Sequence, residues 1–148
     1  MLQEFDKASV PQEKPKPRIQ VTAAVIESEG RVLIARRGKN SARAGKWEFP
    51  GGKIRSGEPP EECLARELME EFSLASRIGA FIGSNEHEYD DIIVELLAYR
   101  AVLGPGPITL NAHQEIQWVS PEEFDRYDFA EADIPFAELL KRCATQVQ

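Results

Sequence analysis

Residues 52–74 read GKIRSGEPPEECLARELMEEFSL, and the spacing inside that stretch governs everything around it. Side chains three and four residues apart share one side of an α-helix. A helix opening at Pro59-Pro60 therefore gathers Glu67, Glu70 and Glu71 into one cluster, while Cys63, Leu64, Ala65, Leu68, Met69 and Phe72 form an apolar sector able to face a core. Like charges at these spacings cost about 0.2–0.5 kcal/mol per pair in an isolated helix. Three carboxylates together call for a cation. All-oxygen donors select a hard ion, and Mg2+ or Mn2+ takes a few carboxylates while leaving other positions to water and phosphate. Neither His nor Cys joins the cluster to favour zinc.

Ahead of the helix stands Glu48-Phe49-Pro50-Gly51-Gly52-Lys53. Paired glycines let a backbone take conformations closed to other residues and approach a ligand or ion closely. A glycine loop feeding a carboxylate helix suits a diphosphate held through metal.

The parts in this order are similar to the Nudix box, in which a glycine is followed after five residues by Glu, after seven more by Arg-Glu, an aliphatic residue, any residue, Glu-Glu, any residue, Gly and an aliphatic residue. Here those positions are Gly52, Glu58, Arg66, Glu67, Leu68, Glu70, Glu71 and Leu74, with Ser73 where the pattern has glycine. That glycine would cap the helix in a left-handed conformation, so serine is expected to cost about 1 kcal/mol or to shift the helix end. Proline at the helix start is compatible with the first turn, where its missing N–H has no helical partner. The likeness continues through Ile34-Ala35-Arg36-Arg37, Lys46-Trp47, Gln117-Trp118-Val119-Ser120-Pro121-Glu122-Glu123 and Ala132-Asp133-Ile134-Pro135. Over residues 19 to 142 the chain resembles the MutT-like branch of the Nudix hydrolases.

This resemblance implies an α/β (α+β) Nudix fold, a mixed β-sheet sandwiched between α-helices with the box as loop–helix–loop. It implies a metal-dependent nucleoside triphosphate pyrophosphohydrolase, in which water attacks phosphorus to give nucleoside monophosphate and pyrophosphate, with Mg2+ or Mn2+ as cofactor. The metal ligands carried over are Glu67, Glu70, Glu71 and the Gly51 carbonyl. Glu67 is the first choice of base, although carboxylates sharing metals titrate as a unit. Glu58 and Arg66 support the loop and helix. Related sequences carry a further metal-linked glutamate where this chain has Ala112; Glu115 is the expected substitute, with His113 or water as alternatives. His113 and His87 are otherwise read as loop or surface histidines. Along the nucleotide the resemblance sets Arg37, Glu48, Phe49, Pro50, Gly51, Gly52 and Lys53, with Asp133 in the region that reads the base.

Relatives preferring 8-oxoguanine place asparagine where Asp133 stands, and Ala132-Asp133-Ile134-Pro135 is similar to the segment in relatives acting on cytidine nucleotides. An ionised carboxylate accepts without donating, which suits a base presenting an amino group; as a helix N-cap, Asp133 is equally good chemistry. The expected substrates are therefore oxidised purine (8-oxo-dGTP) or cytidine-type triphosphates, in nucleotide pool sanitation or pyrimidine trimming. Tyr89, Asp91 and Glu131 are pocket candidates without a motif. Markers of NADH and ADP-ribose enzymes are absent after the box. A dinucleoside polyphosphate hydrolase and a non-catalytic nucleotide sensor are the alternatives, and intact Glu67, Glu70 and Glu71 speak against the sensor.

Composition agrees. The chain has 148 residues, 42% of them hydrophobic, enough for one domain with a substantial core. Eighteen basic against 25 acidic side chains leave a net charge of −7, which argues against a nucleic-acid polymer as partner, since a polyanion needs a basic stripe. No apolar run is long enough for a membrane span or signal peptide, so a cytoplasmic, membrane-free protein is expected, monomer or homodimer. Cys63 and Cys143 are expected as free thiols.

Residues 1–17 are polar and proline-punctuated and predict a mobile tail, with the hydrolase domain over 18–148. Strands are expected over 19–27 and 31–37, a hairpin over 77–89 and 92–103 around Asp90-Asp91, and another strand over 115–119. Ser120-Pro121-Glu122-Glu123 has the form of a capping box for a short helix, and a last helix is expected over about 134–143.

Overall fold

The computed structural model describes residues 14–146. Most of the expected tail, residues 1–13, lies outside them. Residues 14–17 are tied to the domain: Lys16 Nζ reaches Glu88 at 2.7 Å and the Tyr89 carbonyl at 3.0 Å, and Ile93 N–H donates to the Pro17 carbonyl.

The elements in chain order are β1 (Arg18–Ser28), β2 (Arg31–Arg37), β3 (Trp47–Glu48), α1 (Pro60–Phe72), β4 (Ser76–Glu88), β5 (Ile93–Leu103), β6 (His113–Val119), a 3-10 turn over Pro121–Arg126, a second over Glu131–Asp133, and α2 (Ile134–Gln146). The sheet runs β3-β2-β1-β5-β4, with β6 also on β2. β1 and β5 pair in parallel, while β2 with β3, β2 with β6 and β4 with β5 are antiparallel.

Alternation along the central strands builds the two layers. Ala23 and Val25 of β1 with Val94, Leu96 and Ala98 of β5 face a core completed by Phe124, Phe129, Phe136 and Leu140. Ala24, Ile26, Tyr99 and Ala101 face the other way, onto Leu64, Leu68 and Phe72 of α1. The mixed sheet is thus sandwiched between helices as expected. Two details differ from the sequence reading. Met69 is 48% exposed and lies off the buried sector of α1. The Ser120 segment forms a 3-10 turn, in which Ser120 makes no cap to backbone and instead meets the Glu123 carboxylate at 3.1 Å.

Beyond β3 the chain runs along the edge of β1 that β5 leaves open. Ala24 N–H donates to the Pro50 carbonyl, Thr22 N–H to the Gly52 carbonyl and Ile54 N–H to the Gln20 carbonyl, at 2.7–3.0 Å. This contact fixes the glycine pair. A Cβ on Gly51 would stand 2.0 Å from the Thr22 carbonyl oxygen, and one on Gly52 would stand 2.2 Å from the Glu67 carboxyl carbon. The glycines serve close approach to β1 on one side and to α1 on the other.

The end of α1 explains how Ser73 replaces glycine. Ser73 takes the left-handed conformation itself, φ 59° and ψ 35°, and its N–H closes onto Met69. Asn111 then supplies the cap from across the chain: its side chain donates to the Glu70 carbonyl and to Ser73 Oγ, both at 2.9 Å, and its N–H donates to the Glu71 carbonyl at 3.0 Å. Orphan carbonyls at a helix end are satisfied this way, and the same contacts bring residues 111–113 against Glu71.

Candidate active site

Two cavities open along the Gly51-Gly52 loop. One of about 200 Å3 is acidic, with Glu48, Glu67, Glu71 and His113 in its wall. The other, about 260 Å3, is largely apolar, walled by Val21, Val94, Leu96 and Tyr89, with Asp133 among its lining residues. Arg37, Glu48 and Gly51 line both.

In the acidic cavity α1 delivers its carboxylates to different depths. Glu71 is buried, and one of its oxygens has no hydrogen-bond partner. Burial, then the charges of Glu48 and Glu67, push its carboxyl up to about 9, against a smaller opposing effect of a Gly51 backbone hydrogen bond. Glu67 is less enclosed; burial raises it, with Arg66 opposing. Glu70 is half exposed and shares Arg66 with Glu67, the guanidinium standing 3.3 Å and 2.9 Å from the two carboxylates. The expected three-carboxylate cluster is therefore split. Glu67 and Glu71 enter the cavity, whereas Glu70 stands at its solvent side beside Arg55.

Arg66 also grips Glu58 with Nε at 2.8 Å and Nη2 at 2.9 Å. Arg66 and the Arg55 N–H hold the Glu58 carboxyl down at about 2. This bidentate pair staples the loop to α1, the supporting role expected of both residues.

His113 faces Glu48 at 2.9 Å and Glu71 at 3.4 Å, with its side chain 4% exposed. Candidate ligand atoms of Glu48, Glu71 and His113 lie within 4.8 Å of one another. Glu115, expected in the place of the missing glutamate, is elsewhere: it pairs with Arg36 at 3.1 Å and accepts from Gln117. The cause is a bulge. β6 slips by one residue between Arg37–His113 and Arg36–Glu115, so the two side chains project to opposite faces although their numbers differ by two. The sequence signal for His113 was its position directly after Ala112.

An unpartnered buried carboxylate oxygen on Glu71, with Glu48 and Glu67 close enough to raise its protonation, fits a bound cation. His113 joins this group, against the expectation that no histidine would, so carboxylate and imidazole donors together fit a divalent cation without selecting one.

Toward the apolar cavity Arg37 pairs with Glu48 at 2.7 Å. Phe49 lines the apolar cavity, its ring packed onto Phe129 and Phe124, whereas Pro50 differs from expectation: it is fully buried with its carbonyl on Ala24 and lines neither cavity. Lys53 is exposed at the rim. Asp133 is no helix cap. It is buried, and its Oδ1 accepts from the Phe49 N–H at 3.0 Å. Burial, then the charge of Glu48, raises its carboxyl well above the usual range. Tyr89 lines the same cavity; Asp91 and Glu131 are not among its lining residues, Asp91 pairing with Arg43 at 3.2 Å and Glu131 standing 3.9 Å from Lys46.

The sequence model of the NUDIX domain matches residues 16–140. The chain belongs to the Nudix family. Among its relatives, the CTP pyrophosphohydrolase of Escherichia coli K12 is 39% identical over 120 residues, covering 81% of this chain and 89% of that protein. The 8-oxo-dGTP diphosphatase of the same organism is 31% identical over 126 residues, 84% and 98% of the two chains. The crystal structure of the MutT protein from Methanosarcina mazei Go1 superposes with a TM-score of 0.79 at 30% identity, covering 88% of this chain and 97% of that one. The protein is accordingly a Nudix hydrolase of the MutT-like kind, an enzyme of phosphoric anhydride bonds. Among the described residues no helix is long and apolar enough to cross a membrane.

Proposed function

We propose that this Nudix hydrolase is a metal-dependent nucleoside triphosphate pyrophosphohydrolase whose preferred base is of the cytidine type. The observation that carries this reading is the continuity of the two cavities: Arg37, Glu48 and Gly51 belong to both walls, so one extended ligand can set a polyphosphate in the acidic end and a base in the apolar end.

Glu67, Glu70, Glu71 and the Gly51 carbonyl are the residues that would hold the divalent cation, with Glu48 and His113 beside them. When bound, such a cation neutralises phosphate oxygens and the negative charge that develops on them. Water attacks the β-phosphorus, a new P–O bond forms, and the bond from that phosphorus to the oxygen bridging to the α-phosphate breaks. The products are the nucleoside monophosphate and pyrophosphate. Glu67 is our assignment for the acceptor of the water's proton, since its side chain is 18% exposed against 7% for Glu71 and is therefore the more open to an attacking water. Arg66 and Glu58 hold the loop so that Glu67 keeps its place beside Gly52.

Asp133 supports the base assignment. When protonated, its carboxyl would set a donor beside an acceptor, a complement of cytosine's ring N3 and exocyclic amino group. The 39% identity to a CTP pyrophosphohydrolase points the same way. The second reading, 8-oxo-dGTP, is favoured by the 8-oxo-dGTP diphosphatase relative. The domain over 18–148, with the residues before it as a tail, remains our proposed division of the chain.

The deciding experiment is pyrophosphate release with Mg2+ across CTP, dCTP, 8-oxo-dGTP, unmodified purine triphosphates, ADP-ribose and diadenosine polyphosphate. Cytidine triphosphates should lead in kcat/KM. Asp133→Asn should change the ratio between cytidine and 8-oxoguanine substrates about tenfold, the scale of one base-edge hydrogen-bonding pair, with a smaller effect on kcat. A lead for 8-oxo-dGTP would reverse the base assignment, and silence across triphosphates would overturn the activity.

A further inference from the structure

The loop between β2 and β3, residues 38–46, borders both cavities and is folded on Arg37. Gly45 N–H donates to the Arg37 carbonyl at 3.0 Å, Arg37 N–H to the Lys46 carbonyl at 2.8 Å, and Arg37 Nε to the Ala42 carbonyl at 2.6 Å. At its turn Arg43 takes a φ of +60°, a left-handed conformation unfavourable to a residue with a Cβ. Backbone held in such a state clusters at functional sites.

That backbone delivers a guanidinium to an unusual seat. The Arg43 guanidinium carbon lies 3.4 Å from the centroid of the Tyr89 ring, its Nη2 is 3.2 Å from Asp91, and its Nε is buried with no hydrogen-bond partner. Tyr89 is held firmly beneath it: the phenol oxygen accepts from Ala132 N–H at 3.0 Å, and the Tyr89 N–H donates to the Ile92 carbonyl at 2.8 Å. Arg43 and Tyr89 both line the apolar cavity, and Arg43 is absent from the lining of the acidic one. A cation meant for phosphate belongs at the acidic end. Nη2 bonds Asp91 while the buried Nε has no acceptor, so the guanidinium is placed chiefly by its seat over the Tyr89 ring. Guanidinium planes stack on aromatic rings and on nucleobases alike.

We propose that Arg43 is a base-stacking residue: the nucleobase entering the apolar cavity lies against the guanidinium and extends a three-layer stack of Tyr89, Arg43 and base. Asp133 then meets the edge of the base while Arg43 covers its face. The inference rests on the base occupying the apolar cavity, as set out under the proposed function, but not on hydrolysis.

The test is equilibrium binding of cytidine 5′-monophosphate, 8-oxo-dGMP and ribose 5-phosphate to the full chain and to its Arg43→Ala and Arg43→Lys variants, each checked for an unchanged melting transition. Lysine keeps the charge and loses the plane. The wild type should bind at least one nucleotide more tightly than ribose 5-phosphate. Both variants should weaken that nucleotide about tenfold, the scale of a desolvated cation–π contact, and leave ribose 5-phosphate within twofold. Wild-type affinity in Arg43→Lys, equal losses for nucleotide and ribose 5-phosphate, or no preference for a nucleotide in the wild type would each overturn the stack. Base-dependent binding that falls with Arg43, but without pyrophosphate release from any triphosphate, would uphold the stack and refute the proposed activity.

Discussion

The acidic and apolar cavities share part of a wall and are made in opposite ways. The acidic end takes Gly51, Glu67 and Glu71 from the loop and helix on either side of the box, where helical spacing alone aligns the carboxylates. The apolar end collects Val21 from β1, Arg43 from a loop, Tyr89 from a hairpin, Leu96 from β5 and Asp133 from a 3-10 turn. Only the packed sheet brings those together. Charge at the first end is therefore built into the chain before it folds, while recognition at the second depends on every long-range pairing being right. The difference teaches where catalysis and specificity ought to separate under mutation.

The largest effect should come from Glu71→Gln. It removes the most buried carboxylate of the acidic end and should lower kcat for pyrophosphate release by about 1000-fold, at the upper end of losses seen when a buried electrostatic partner is removed. Melting should show the fold intact, because a neutral amide replaces a group already pushed toward neutrality. Near-normal turnover would dissolve the distinction between the two ends.

Next is Gly52→Ala. The new Cβ would stand 2.2 Å from the Glu67 carboxyl carbon, and a side chain moved by about 1 Å can cost on the order of 100-fold in rate. The loss should appear in kcat equally for every base, measured with the same triphosphate panel. A base-dependent loss would mean that the glycine loop also shapes the apolar end.

A smaller effect concerns stability and pH. Arg66 holds the Glu58 carboxyl at about 2, below its ordinary value of 4.5. A depressed carboxyl stabilises the fold fully above the unfolded value and loses that contribution as the pH falls from 4.5 toward 2. Melting temperature should thus drop more steeply below about pH 5 in the wild type than in Glu58→Gln. Parallel curves would remove the staple from the account. The smallest effect is reserved for Glu115→Gln. Lying with Arg36 on the far face of the bulge, it should leave kcat and KM within about twofold of wild type, as surface changes commonly do.

The contrast between the ends also measures what could be read in advance. Strand order, the two-residue β3 and the 3-10 turns aside, the elements were legible, because alternation in β1, β2 and β5 and the i, i+4 pattern of α1 are local signals. Glu67, Glu71, Arg66 and Glu58 were legible for the same reason. Met69 was drawn too far inward, since its angle on the helix sets a sector but not the depth to which the sheet covers it. Phe49 and Pro50 were legible as neighbours of the site, yet only the packed core shows that Phe49 lines the apolar cavity while Pro50 is buried away from both. His113 and Glu115 were exchanged because one extra residue in β6 reverses which side chain faces the cluster, and a bulge leaves no periodic mark in seven residues.

What the amino-acid sequence by itself determined is the chemistry of the phosphate end: a glycine loop, a helix with aligned carboxylates, and the Glu58–Arg66 pair joining them, all within one short stretch where spacing and geometry coincide. Only the tertiary structure decided which carboxylates are buried deeply enough to hold a proton, that Asn111 caps the helix in place of a glycine, that His113 completes the acidic cluster, and that Asp133, Tyr89 and Arg43 meet around one cavity. Burial and long-range pairing are properties of the folded sheet and its covering helices, and no local pattern encodes them.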